Sequence, residues 1–435
     1  MAYSITALEV IAMLKKSISM ALCALLSALM LTGCSLLGSG SGRDRTLIVS
    51  IWDVENQDVY RELADAYAEE NPGLIIELRT IEPEKYAATL LQSFSSKDAA
   101  DVVAIPAEEF HRLTSGGKLM DLSKSDIIPD NYDKNLLQIG SRDGSQWAIP
   151  VTGSVPVVFY NKADYENYKL IQPKTISDFI INCSILRQNG RTPLAMATDD
   201  KGRYMPADLV ESMLANGPCD TALLFNGRFF TTNTELDSGF MDVIGLAFEL
   251  DMQDMLVGKG DSAQGHEALL AQFADGGVSM IPGDTNDIRK LRNLDSNFNF
   301  GFFPMPGSSD TVCGVFKAEL MLGITKGTKV KADAEGFIRY LLTESSQTRL
   351  CNKTMTVPAV DNVQLEDGDL QEALALLDKT NERKPSLFQR ISKDNKEVCL
   401  DKLDLAFNGE IGGLDDFMQD WKDKIKSNEA EPTKK

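Results

Sequence analysis

Between residues 147 and 162 the chain reads Trp-Ala-Ile-Pro-Val-Thr-Gly-Ser-Val-Pro-Val-Val-Phe-Tyr-Asn-Lys, and Pro150, Gly153 and Pro156 forbid a helix there. The stretch reads as two extended pieces joined at Thr152, Gly153 and Ser154. A βα pattern precedes it and another follows, so an extended connection carries the chain from one α/β unit to the next. A break in such a connection sets small polar groups at a domain interface, a favoured place for a ligand. We read this stretch as hinge and cleft.

The preceding pattern is regular. Residues 47–52 form a short apolar strand, and Val59, Leu63, Ala66 and Tyr67 recur at helical spacing before Asn71-Pro72-Gly73 stops the helix. Residues 74–78 supply a second strand, giving a βαβ unit with parallel strands and a right-handed crossover. Tyr86, Leu90, Leu91 and Phe94 mark another helix, residues 101–105 another strand, and Phe110 with Leu113 a helix closed by Gly116 and Gly117. Ligands of such sheets sit beyond the carboxyl ends of the strands. That singles out Trp52, Asp53 and Glu55 after the first strand, and Glu108 after the strand that ends at Ile105.

A length of 435 residues exceeds what one core organises and favours two or more domains. With 64 acidic against 44 basic residues the chain lacks the clustered cations that nucleic-acid binding needs. Only His111 and His266 are present, with no His-x-x-x-His pair, no Gly-x-Ser-x-Gly elbow and no Walker loop. The chain therefore reads as a non-enzyme with neither metal nor cofactor. Cys183, Cys219, Cys313, Cys351 and Cys399 form an odd set without Cys-x-x-Cys spacing and read as buried thiols, with one pairing left open.

Lys15 and Lys16 precede an apolar run over residues 18–31 that is too short and too quickly ended to span a membrane, so residues 1–33 read as a signal peptide. Met13 begins a more ordinary leader than Met1. The run ends Leu31-Thr32-Gly33-Cys34, which resembles the lipobox of bacterial lipoproteins, where the cysteine thiol accepts a diacylglyceryl group. Residues 34–44 then read as a flexible, lipid-anchored linker. Its Gly38-Ser39-Gly40-Ser41-Gly42 has no strand before it and so is no phosphate loop.

Trp52 after the first strand, Glu70-Asn71-Pro72-Gly73, Asp101-Val102-Val103 and Gly117-Lys118-Leu119-Met120-Asp121-Leu122 resemble the extracellular solute-binding lipoproteins of ABC sugar importers, the group that includes maltose-binding protein. The likeness continues through Tyr160-Asn161-Lys162 beyond the first crossing and through the helix start Pro173-Lys174-Thr175-Ile176-Ser177-Asp178-Phe179, where Thr175 can cap and Asp178 favours the positive end. Residues 271–280 resemble the family's helix, glycine turn and strand. Where the family often carries an aromatic platform for a sugar ring, this chain has Gly283-Asp284-Thr285-Asn286. Residues 300–307 resemble a second crossing. Ala334, Phe337, Ile338, Leu341 and Leu342, with Gln347 and Val357-Pro358, resemble a third. Leu414, Phe417, Met418, Trp421 and Ile425 form the apolar stripe of a last helix, with Trp421 in the core.

The resemblance implies a periplasmic-binding-protein-like α/β fold: two α/β lobes joined by a three-crossing hinge, with a ligand cleft between them. It implies an N-terminal lobe of residues 45–152 and 301–356, a C-terminal lobe of 153–300 and 357–427, and a disordered tail over 428–435. It further implies a carbohydrate carrier, lipid-anchored through Cys34 on the extracytoplasmic face of the cell membrane, that delivers its solute to an ABC permease. The expected ligand contacts are Trp52, Asp53, Glu55, Glu108, Ser154, Tyr160, Asp284 and Asn286. Trp147 either braces the hinge or touches ligand. The alternatives are a surface sensor that presents its ligand to a membrane kinase, and a glycoside hydrolase built on a carboxylate pair, which no fixed spacing reveals.

Overall fold

The structure, a computed structural model, describes residues 45–96, 98–217, 234–307, 312–380 and 383–430. The expected leader, Cys34, the expected linker up to residue 44, Cys219 and residues 431–435 lie outside the described residues.

The first strand β1 (Arg45–Ile51), helix α1 (Gln57–Glu70) and strand β2 (Leu74–Thr80) form the expected βαβ unit, with Arg45 opposite Leu74 in parallel register. Val59, Tyr60, Leu63, Ala64 and Tyr67 form the buried face of α1, and Gly73 closes the turn at φ 77°, a conformation that costs glycine little. Helix α2 (Pro83–Ser96), strand β3 (Val102–Ala104) and helix α3 (Ala107–Ser115) repeat the pattern, with β3 parallel to β1. A 3-10 turn (Lys134–Gly140) and a small hairpin, β4 (Ser141–Arg142) and β5 (Ser145–Gln146), lead to the crossing.

The crossing consists of β6 (Ile149–Ser154) and β7 (Pro156–Asn161). The junction between the two extended pieces falls at Val155, one residue beyond the expected break at Thr152 to Ser154, because all three of those residues keep their pairing within β6. Between Ser154 and Pro156 the chain changes sheets.

The second region follows with α4 (Lys162–Asn167), α5 (Ile176–Gln188), α6 (Ala207–Ala215), α7 (Thr234–Met252), α8 (His266–Ala274), β8 (Met280–Asp284), α9 (Asp287–Leu294) and β9 (Phe300–Phe303). The Thr175 hydroxyl accepts from the Asp178 N–H while the Asp178 carboxylate accepts from the Thr175 N–H, a complete capping box at the start of α5. Both β8 and β9 pair antiparallel with β7, giving a three-stranded sheet buried on both sides. Alternation along β7 sends Val157 and Phe159 to one apolar cluster and Val158 and Tyr160 to the other.

The chain then returns in β10 (Val315–Ile324), which pairs antiparallel with both β3 and β6 in the large sheet ordered β11-β6-β10-β3-β1-β2. Helices α10 (Lys331–Leu341) and α11 (Glu344–Thr354) follow, then β11 (Val357–Pro358) against β6, α12 (Gly368–Leu377), and β12 (Lys384–Pro385) beside β10. Helices α13 (Lys393–Phe407) and α14 (Leu414–Ala430) pack into the second cluster. Of the expected stripe on α14, Phe417, Met418, Trp421 and Ile425 are buried, whereas Leu414 is exposed, because at the helix start nothing covers it. The helix runs to Ala430, past residue 428 where the tail was expected to begin. Two α/β lobes result, built on separate sheets and joined by strands that pass between them.

Cys183, Cys313, Cys351 and Cys399 are buried free thiols, and burial pushes the last two up to about 12. Among the described residues no helix is long and apolar enough to cross a membrane.

The crossing strand leaves no room for a side chain at Gly153, where an added Cβ would stand 2.5 Å from the Phe316 ring and 2.7 Å from the Lys317 carbonyl oxygen. Gly153→Ala is expected to lower stability by about 1–3 kcal/mol, read as a lower urea midpoint with an unchanged slope.

Candidate functional site

Three polar side chains project from the end of the large sheet that faces the second lobe. Ser154 of β6 lies opposite Lys317 of β10, and Glu319 follows two residues on. The pairing runs Lys317 with Ser154, Ala318 with Gly153, then Leu320 with Thr152, so Glu319 is the extra residue of a β-bulge. Bulges redirect a side chain out of the regular alternation and are common beside functional sites. The side-chain amide of Gln389 clamps this bulge, accepting from the Ala318 N–H at 2.7 Å and donating to its carbonyl at 2.8 Å. Ser154, fully buried, donates to Glu319 Oε1 at 2.7 Å.

The other lobe meets these groups with acids. Lys317 Nζ donates to Asp284 Oδ2 of β8 at 2.6 Å and to Asp208 Oδ1 of α6 at 3.0 Å. Burial alone would lower the Lys317 pKa, but Asp208, Asp284 and Glu319 hold it well above the ordinary lysine value. Burial likewise opposes ionisation of Asp284, and the Lys317 charge more than offsets it, leaving Asp284 below the usual carboxylate range. For Glu319 the Lys317 charge and the Ser154 hydrogen bond compensate only in part. Burial, and then the charge of Asp284, push its carboxyl up to about 7.

On the far side of Asp284, His266 Nε2 meets Asp287 Oδ2 at 2.7 Å. Burial pulls the imidazole down, yet the hydrogen bond and charge of Asp287 hold it above its ordinary value. The Asn286 N–H donates to Asp284 Oδ1, while the buried Asn286 Oδ1 has no hydrogen-bond partner among the described residues.

The loop after β1 supplies the first-lobe wall. Trp52 is partly buried and meets Tyr86 edge-on, ring centroids 5.1 Å apart. Tyr86 is itself locked by donating to the carbonyls of Ser50 and Ala104 at the ends of β1 and β3. Asp53 accepts from the Asn56 backbone and side chain and from the Tyr60 hydroxyl. The charges of Asp53 and Glu319 both reach Tyr60, whose pKa burial has already raised. Arg289 of α9 spans from the second lobe, donating to Asn56 Oδ1 at 3.2 Å and to the exposed Glu55 at 3.3 Å.

Of the residues singled out from sequence, the structure brings Ser154, Asp284 and Asn286 into one polar group, and Trp52, Asp53 and Glu55 into the facing loop. It does not bring in Tyr160, whose ring packs in the second core against Tyr165 at 4.2 Å and Phe303 at 5.7 Å. Glu108 stands exposed in the first turn of α3. Trp147 donates its indole N–H to the Arg142 carbonyl, a bracing contact. Sequence reasoning missed Lys317, Glu319 and Asp208. A signal did exist, because Lys317 and Glu319 interrupt the otherwise apolar run of β10 at a spacing of two.

The family model for bacterial extracellular solute-binding proteins matches residues 53–348. A multiple sugar-binding protein of Streptococcus mutans is 20% identical over 81% of this chain and 84% of its own length. An uncharacterized ABC transporter extracellular-binding protein of Pyrococcus horikoshii is 28% identical over 31% of this chain, and the match spans 32% of that relative. Ligand-free RafE of Streptococcus pneumoniae superposes with a TM-score of 0.69 at 17% identity, covering 90% of this chain and 98% of that one. RafE in complex with raffinose gives 0.63 at 18% identity, covering 88% and 98%. The structural likenesses show a shared fold.

Removing the Lys317 charge strands two carboxylates. Lys317→Met is expected to cost about 3 kcal/mol at pH 7. In the wild type the stability from Asp284 is fully present above its unfolded pKa and is lost as the pH falls through the lower folded value. The difference between variant and wild type should therefore shrink as urea denaturation is repeated toward pH 4, where the unpaired acids take up protons.

Proposed function

The chain belongs to the bacterial extracellular solute-binding protein family, and we propose that it is the substrate-binding lipoprotein of an ABC importer, which captures a carbohydrate between its lobes and delivers it to the membrane permease. The family and its structural neighbours are binding proteins. The observation that carries the reading is the meeting of polar groups from both lobes: Ser154, Lys317 and Glu319 on one side, with Trp52 in the loop after β1, and Asp208, Asp284 and the unmet Asn286 Oδ1 on the other. A sugar offers donors to such acceptors and an apolar ring face to an indole. The sugar-binding name of the Streptococcus mutans relative and the raffinose in the RafE complex support a saccharide.

Capture works as a shift in population. A ligand that touches both walls has its full set of contacts only when the lobes are closed, so binding favours that state, and the permease distinguishes it from the open one. The Arg289 bonds to Asn56 and Glu55 already join the lobes across the gap. The Glu55 arm is solvent-exposed, so it contributes little by itself, and the ligand supplies most of the closing free energy. The hinge comprises the three passages at Val155, between β9 and β10, and from β11 through β12 to α13. A diacylglyceryl group on Cys34 holds the protein on the extracytoplasmic face, and the chain through residue 44 is its tether.

Raffinose, maltotriose and xylotriose provide a direct test by thermal shift and calorimetry. A bound sugar at one hundred times its Kd should stabilise the folded state by about 2.7 kcal/mol and raise Tm. Absence of any shift across such saccharides would count against a carbohydrate ligand. Trp52→Ala is expected to weaken binding by about 1–3 kcal/mol if the indole stacks on the sugar, and unchanged calorimetric affinity would remove it from the site. Cys34→Ser is expected to move the protein from the detergent phase to the aqueous phase on partitioning of cell extracts.

A further inference from the structure

We infer that Glu319 reads a ligand hydroxyl in the cleft, accepting its hydrogen bond as a carboxylate, so that capture releases a proton and tightens as the pH rises. The inference rests on the carbohydrate reading above.

Geometry carries the argument first. Glu319 is the unpaired residue of the β10 bulge, held there by the Gln389 clamp on Ala318. It is partly exposed, on the same face as Ser154 and Lys317, and that face looks toward Asp284 and Asp208 of the other lobe. One carboxylate oxygen, Oε1, is occupied by the Ser154 hydroxyl, and Oε2 has no partner among the described residues. The neighbouring acids are already engaged, since Lys317 occupies both Asp208 and Asp284. Glu319 thus presents a free acceptor in the cleft wall, with its carboxylate oriented by a buried serine. Ser154 is then a positioning residue.

Charge decides how this acceptor behaves. One ammonium stands among three carboxylates, and its charge holds Asp284 below the usual carboxylate range. Facing Glu319 are Asp284 of β8, Asp208 of α6, Lys317 of its own strand, Tyr60 of α1 and the neutral Ser154 of β6. With Lys317 shared between its two partners, Glu319 holds its proton up to about pH 7. A hydroxyl that donates to the carboxylate stabilises the ionised form and lowers that pKa. Binding is therefore weakest below about pH 7 and strengthens as the pH rises through it. His266 also titrates above its ordinary value and needs a control, because it acts on Asp284 through space.

The experiment is calorimetry of the full chain at pH 6, 7 and 8, in phosphate and in Tris, with whichever of raffinose, maltotriose and xylotriose gives a thermal shift. For a group that ionises near 7 and is driven well below 6 by ligand, affinity should rise about tenfold from pH 6 to pH 8. Proton release at pH 7 should appear as a buffer-dependent enthalpy. Glu319→Gln keeps the shape and accepts from Ser154, and it should bind with a flat pH profile and no proton release. His266→Gln should retain both effects. A flat wild-type profile, or a slope that survives in Glu319→Gln and vanishes in His266→Gln, overturns the role of Glu319 and leaves the carbohydrate reading standing. Failure of all the saccharides to bind, while carboxyl NMR still shows Glu319 titrating near 7, overturns the carbohydrate reading and this inference with it.

Discussion

The arrangement between the lobes depends on the ammonium of Lys317. It leaves the large sheet beside the first crossing and holds one carboxylate from a strand of the other lobe and one from a helix. Buried acids keep their charge only with compensation, and here the compensation comes from across the gap. The same scarcity leaves Glu319 without a cation of its own. A chain with formal net charge −20 has acids to spare on its surface, but their effect fades in water and salt. The local count of three acids around one ammonium, beside the buried Ser154 and Asp284, sets the chemistry.

The backbone around that ammonium is packed too closely to drift. Gly153 lies against the Phe316 ring, Gly283 admits the Asp287 carboxylate near its Cα, and the β10 bulge is clamped by Gln389. Such positions accept discrete rearrangements better than gradual deformation. Movement of one lobe against the other is therefore expected at the linking strands, with each wall of the cleft retaining its internal geometry. Tyr86, pinned to the ends of β1 and β3, gives Trp52 the same kind of rigid backing.

Much of the fold was legible because its signals are local. The apolar spacing of α1, the stop at Gly73, the capping box of Thr175 and Asp178, and the proline-broken crossing each rest on contacts within a few residues. Part of the candidate site was legible from topology, as with Trp52 and Asp53 beyond the end of β1, and part from the crossing and the family resemblance, as with Ser154, Asp284 and Asn286. Tyr160 shows the limit. Its neighbours suggest an aromatic beside a crossing, but alternation along β7 turns its ring into the second core. Leu414 fails in the opposite direction, because helical periodicity says which residues share a face and is silent on how far the partner surface extends.

By itself the sequence determined that the chain builds α/β units joined by an extended connection, that it lacks the motifs of hydrolytic, metal and phosphoryl-transfer chemistry, and that polar residues replace an aromatic platform at 283–286. Short-range rules suffice for those conclusions, since propensity, periodicity and turn chemistry act over a few bonds. Tertiary structure alone decided which distant charges share a site. Lys317, Asp208 and Asp284 are separated by up to 109 positions in the chain and by at most 3.0 Å across their ion pairs. Whether Glu319 keeps its proton depends on that meeting, because desolvation and Coulomb energy are set by distance in space, and separation along the chain does not encode it.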